Sequence, residues 1–285
     1  MYDRRYRGYD GIITPLATRW TVLPRYAAAQ VFKSRLFVMF FTLSFVWPVI
    51  ATLWIYLHHN LAALTNIGLD GIKLAPVNAG FFAAFMGAQC FFLGGLMTLI
   101  VGPGLVSPDL ANGALPLYLS RPLSRTAYAF GKMATLAALI SLITWVPGLF
   151  LFFLQSWLEG WDWFSENSYI AVAIVLGAGI WIVTISLLAM AASAVARRKV
   201  IAQTFLLGVI IFGSIAGQTV NQMFHTKLGF VFALPELMHT IWEGLFRVPL
   251  QAQLPTALAW AGVLGVCGVS VAVLARKLRA FEVVK

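Results

Sequence analysis

Long apolar runs separated by short polar connections set the organisation of this chain. Six of them, residues 36–57, 79–101, 133–154, 169–195, 200–220 and 253–275, reach the length of about 20 residues that a helix needs to cross a bilayer core. None contains Asp, Glu, Lys or Arg. The pattern predicts an all-α integral membrane protein: six transmembrane helices forming one domain over 36–275, after a segment 1–35 and before a tail 276–285. The first run is too long for a signal-peptide core and has no small-residue cleavage site behind it, so it is expected to stay as an anchor. Residues 24–35 put Ala27, Ala28, Val31 and Phe32 on one arc and Arg25, Gln30, Lys33 and Ser34 on the other. That spacing predicts an amphipathic helix lying at the membrane surface. The connection 221–252 is long and apolar, and Pro235 and Glu236 open a helical pattern through Leu237, Ile241 and Leu245. A re-entrant helix before the sixth span and an interfacial loop packed on the bundle both fit it.

Charge adds an orientation. Of the 20 Lys and Arg, all but Lys73, Lys227 and Arg247 lie in 1–35, 102–132, 196–199 and 276–285. The alternate connections hold Asp70, Glu159, Asp162, Glu166, Glu236 and Glu243, six of the ten acids. By the positive-inside rule both termini are expected in the cytoplasm, in a multi-pass protein of the cell inner (cytoplasmic) membrane. Trp157 to Trp163 then forms an aromatic girdle at the outer face. The net charge of +10 is accounted for by topology, without a nucleic-acid partner. Composition agrees: 60% of the 285 residues are hydrophobic and 11% charged, against about a quarter charged in soluble domains.

The connection 102–132 is the most distinctive stretch. Gly102-Pro103-Gly104 is expected to stop the second span, and Ser107-Pro108-Asp109 reads as a fresh helix start with a hydroxyl cap, an early Pro and an early acid. The short helix would run to about Gly113. Leu110, Leu115, Leu117 and Leu119 offer apolar surface, and Arg121, Arg125 and Lys132 offer charge. An ordinary positive-inside connector is the plainer reading, but it needs only the charges.

Asp109 with Gly113-Ala114-Leu115, then Leu119-Ser120-Arg121-Pro122-Leu123-Ser124-Arg125, Tyr128 and Gly131-Lys132, resembles the ABC-2 type permeases. The resemblance implies the six-span membrane subunit of a bacterial or archaeal exporter, with a cytoplasmic coupling helix between spans 2 and 3. It implies cytoplasmic ABC ATPase subunits as partners, alongside a second copy of the chain or a homologous permease, in contact with membrane lipids. The residues it places at the ATPase are Asp109, Leu110, Gly113, Leu117, Arg121, Pro122, Arg125 and Lys132. Pro116 departs from the family pattern, where a helix more often continues.

The chain lacks its own phosphate loop: Thr126 and Met133 stand where a Gly and a Ser or Thr would flank Gly131-Lys132. No catalytic residue, cofactor or metal is therefore assigned here, and ATP with Mg belongs on the partner. Cys90 and Cys267 form no motif. His58, His59, His225 and His239, with Met223 and Met238 nearby, raise a transition-metal alternative, but scattered surface histidines are commoner. An intramembrane hydrolase would need a nucleophile and base at depth, and no such motif occurs. An ion-coupled carrier would need a charged relay in the spans. A non-transporting scaffold coupled to the same ATPase remains open.

Uncharged polar residues at depth are the candidates for a substrate path: Gln89, Thr98, Gln203, Thr204, Ser214 and Gln218. Of these, Gln89 and Gln218 are the better candidates for facing a cavity; bonding between helices is the competing reading. The lack of charge suits an amphipathic or lipid-like cargo. Gly213-x3-Gly217 marks a close helix contact, either within the subunit or, as the resemblance adds, at a dimer interface.

Overall fold

Prolines shape this bundle as much as its apolar faces do. The computed structural model describes residues 22–60, 75–114, 124–196, 198–249 and 254–279, and all regular structure among them is helical. Six long apolar helices run Arg35–His59, Ala79–Ala111, Thr126–Glu159, Trp161–Val195, Lys199–Phe224 and Thr256–Lys277, called spans 1 to 6 in that order. Spans 2, 3 and 4 are about half buried and form the centre, while spans 1, 5 and 6 turn most of their surface outward.

The helix Val22–Val31 precedes span 1. Its Leu23, Ala27, Ala28 and Val31 are half-buried and Arg25, Tyr26 and Gln30 exposed, as the amphipathic spacing predicts. The helix stops short of residue 35, however, and Phe32, expected on the apolar arc, is exposed beyond its end. Ser34 ends it and caps the next helix by accepting the Phe37 N–H at 3.4 Å.

Three spans are interrupted. Span 1 breaks at Ser44 and Phe45, between Arg35–Leu43 and Val46–His59. Span 3 breaks at Thr144, between Arg125–Ile143 and Trp145–Glu159. Span 2 widens over Ala88–Gly94 into a π-helical stretch. Pro48 and Pro147 stand four residues after Ser44 and Ile143. A helical proline has no N–H to offer the carbonyl four residues back and crowds it as well, which places both breaks.

Span 2 does not stop at Gly102-Pro103-Gly104, as the sequence suggests. Gly102 keeps right-handed helical dihedrals, φ −54° and ψ −50°, and the chain continues directly into a stub, Pro103–Ala111. Ser107 is no cap: it is buried inside the stub, and its hydroxyl donates to the Pro103 carbonyl at 2.6 Å. The continuation is possible because Pro103 needs no donor at a first helical position. Ser193 of span 4 then accepts the N–H groups of Val106 and Ser107 at 3.1 and 2.8 Å and donates to the Pro103 carbonyl at 2.9 Å. A Cβ on Gly102 would lie 2.7 Å from that of Ala189, so only glycine allows span 4 this close. The stub ends where expected. Gly113 takes a positive φ of 62°, the Ala114 N–H reaches the Asp109 carbonyl at 2.8 Å, and the Gly113 N–H reaches that of Leu110 at 3.4 Å.

The connection 155–168 is almost wholly helical, contrary to the girdle loop drawn from sequence. Gly160, at φ 101°, makes the turn alone between Glu159 and Trp161. The connection after span 5 folds back against the bundle through a 3-10 turn, Leu228–Phe232, and a helix, Leu234–Phe246. Leu237, Met238, Ile241, Trp242 and Phe246 of that helix are buried, and the Trp242 indole donates to the Gly177 carbonyl of span 4 at 3.0 Å. Phe232 meets span 5 at Gly213, eleven residues before the span ends at Phe224. At 1.5 Å per residue that is about 16 Å inside the helix end.

Candidate functional site

At the Lys- and Arg-rich end of the bundle, Asp109 is the centre of a clasp. The stub carries Asp109 and Leu110 on its last turn, and span 3 begins at Arg125 behind a Ser124 cap that accepts the Ala127 N–H at 3.1 Å. Two turns of span 3 then present Tyr128 and Lys132 on one face, at i and i+4. The Tyr128 hydroxyl donates to Asp109 Oδ2 at 2.7 Å, and Lys132 Nζ lies 2.9 Å from the same oxygen. The Lys132 ammonium also stands 5.7 Å from the centre of the Tyr128 ring. The side chains of Asp109 and Lys132 are 17% and 11% exposed, so losing either partner would leave a largely desolvated charge unpaired. Leu23 and Leu110 pack on Tyr128, which brings the helix Val22–Val31 onto the same point.

Two glutamines extend the linkage inward. Pro103 deprives the Leu99 carbonyl of its helical donor, and the Gln203 side chain of span 5 supplies one at 2.9 Å. In the middle of the bundle the Gln89 amide donates to the carbonyl of Ser44 at 3.0 Å and to that of Ile143. These are the acceptors freed by Pro48 and Pro147. Gln89 sits on the π-helical stretch of span 2, so one side chain joins the irregular points of three spans. It is fully buried, and its own Oε1 finds no donor. Gln89→Leu keeps the volume but strands two buried carbonyls. Each loss is worth about 1–3 kcal/mol. The variant is expected to melt well below the wild type in detergent, and an unchanged thermal midpoint would rule out the capping role.

The sequence-predicted residues thus separate into groups. Asp109, Leu110, Gly113 and Lys132 come together at the end of the stub. Leu117, Arg121 and Pro122 lie outside the described residues, and Arg125 opens span 3. Of the path candidates, Gln89 and Gln203 bridge helices, while Thr98, Thr204 and Ser214 bond back to carbonyls in their own helices at 2.8, 3.1 and 3.0 Å. Gln218 is exposed on span 5. Gly213 and Gly217 pack against the chain's own 3-10 turn: a Cβ on Gly217 would lie 2.6 Å from the Gly229 carbonyl oxygen. Ser193 and Tyr128 were missed as contact residues. Their signal lies in the prolines and in the i, i+4 pairing with Lys132.

The family model described as ABC-2 family transporter protein matches residues 65–282, which takes in spans 2 to 6 and the whole stub. This chain belongs to that family. No curated protein matches it. An ABC-2 family transporter of this form is a multi-pass membrane protein and a permease subunit of an ABC transporter. Permeases of the family are membrane subunits without an ATPase site of their own; they generally pair with an ABC ATPase and often dimerise.

Proposed function

We propose that this permease is the membrane half of an exporter for an amphipathic or lipid-like cargo, driven by a separate ATPase that docks on the stub and the residues following it. Both termini and the stub face the cytoplasm in this reading, and two permeases, identical or homologous, stand over two ATPase subunits that hold ATP and Mg. The helix Val22–Val31 rides on the inner membrane surface, and the 228–246 segment is re-entrant from the outer side. The observation that supports it best is the way the stub is tied into the bundle. Asp109 binds it to span 3, Ser193 to span 4 and, through the Leu99 carbonyl, Gln203 to span 5. A push on the stub therefore moves three spans together, and rigid rocking of this kind is a known route to alternating access. The apolar runs 36–57, 79–101, 133–154, 169–195, 200–220 and 253–275 carry no charged residue, which favours an apolar or amphipathic cargo over an ion.

Purifying the tagged chain in mild detergent and identifying bound proteins by mass spectrometry tests the pairing. A co-purifying Walker-motif ATPase is the expected result; its absence across several mild detergents would overturn the assignment. Stimulation of that ATPase by cargo separates transport from a scaffold role.

A further inference from the structure

The strongest unassigned feature is a recess of about 230 Å³ at the positive end of the bundle, which shares Lys132 with the clasp. Its walls come from the helix Val22–Val31, the first turn of span 1, the end of span 2, the stub, and the first residues of spans 3 and 5. The polar groups facing it are Gln30, Ser34, Lys132 and Lys199, and Phe37 and Leu105 give it an apolar floor. Among the described residues no acidic one lines it. Lys132 is shared with Asp109, but among the described residues no carboxylate stands within ion-pair reach of Lys199. The Lys199 stem lies along Gly104, with Cε 3.7 Å from where a Cβ would be, which is ordinary van der Waals contact. Ser34 begins the helix Arg35–Leu43, whose N-terminal dipole adds positive potential from the opposite wall.

We infer that this recess binds the phosphate headgroup of an anionic phospholipid from the leaflet on this side. Four features select that ligand. An ammonium with no carboxylate partner among the described residues, a second paired with Asp109, a helix N-terminus and an amide together favour an anion with several acceptor oxygens. The volume is below the roughly 300–1,000 Å³ of sites that enclose whole drug-sized molecules, and suits a headgroup alone. The recess lies at the ends of spans 1, 2 and 5, where headgroups reside, and under a helix with an apolar inner face. Its position between the helix Val22–Val31 and the stub lets a bound headgroup brace both. The inference stands whether or not the chain moves lipid as cargo, since the recess is remote from Gln89 and the centre of the bundle.

The test uses the full chain in detergent, titrated with short-chain phosphatidylglycerol and, separately, phosphatidylcholine and inorganic phosphate, with bound adducts counted by native mass spectrometry. The wild type is expected to hold one phosphatidylglycerol in preference to phosphatidylcholine. Lys199→Gln should weaken that adduct about tenfold and Lys199→Arg should restore it, because each cation at a membrane surface adds attraction for an anionic headgroup. Arg276→Gln, at the exposed end of span 6, should change nothing. Equal binding of both lipids, or an adduct indifferent to Lys199→Gln, overturns the proposal. Displacement of the Lys199-dependent adduct by millimolar phosphate assigns the site to a free anion and overturns the lipid source. Because Lys199 is exposed, its variants retain the fold, and a matched thermal midpoint verifies this.

Discussion

Gly217→Val is expected to destabilise the folded chain by about 3 kcal/mol or more, at the top of the usual range for overpacking. The reason is the partner. A Cβ at Gly217 would meet the carbonyl oxygen of Gly229 at 2.6 Å, and that oxygen belongs to a backbone that cannot rotate away. The same turn is fixed from the other side, where the Asn221 side chain accepts the Gly229 N–H at 2.7 Å. The extra volume must therefore lift the 3-10 turn off span 5 and loosen the helix Leu234–Phe246 behind it, with its buried Trp242. Gly265→Val and Gly268→Val in span 6 are the controls, because nothing lies within 4 Å of either position. The thermal midpoint of monodispersity in detergent should drop sharply for Gly217→Val and stay level for the other two. A variant with unchanged stability but an altered oligomeric state would instead place Gly217 between two copies.

This contact shows where sequence reading succeeds and where it stops. Close packing at Gly213 and Gly217 is legible, because small residues four apart mark a helix face that another backbone can approach. What approaches it is not, since the partner arrives from a turn eleven to nineteen residues later. The six spans were legible from hydropathy alone, and the amphipathic face of Val22–Val31 from its period. The ends of the spans were less so. The helix that opens span 3 starts at Arg125 behind the Ser124 cap and carries Lys132 two turns in, where the Asp109 carboxylate offsets its charge. Span 4 starts at Trp161 because Gly160 reverses the chain without a loop. The stop assigned to Gly102-Pro103-Gly104 failed for a physical reason outside the local sequence: Ser193, ninety residues on, satisfies the amides that the proline disturbs. The roles of Gln89 and Gln203 follow the same logic. A proline names the carbonyl it frees, four residues back, but only the fold shows which amide reaches it.

Asp109→Ala carries the second large effect, and it tests whether the clasp transmits force or merely holds shape. Removing the carboxylate leaves the Lys132 ammonium 11% exposed with no counter-charge and takes away the acceptor of the Tyr128 hydroxyl. Breaking one side of a shielded ion pair costs about 3 kcal/mol or more. Asp109→Ala/Lys132→Met removes both charges together and is expected to recover much of that loss, while Tyr128→Phe alone should cost about 1.5–3 kcal/mol, the worth of a hydrogen bond to a charged group. Stability is only half of the readout. Where the stub passes ATPase movement to spans 3, 4 and 5, cutting its tie to span 3 should leave the ATPase bound and turning over. Stimulation of hydrolysis by cargo should then fall by about tenfold, within the range of ordinary coupling energies. Loss of the ATPase from the complex with an unchanged thermal midpoint would instead make Asp109 a docking residue, as its place in the family-like motif suggests. The geometry favours the clasp: the carboxylate points at Tyr128 and Lys132, and the surface the described stub leaves for a partner is Leu110 and the exposed Ala111, Asn112 and Gly113.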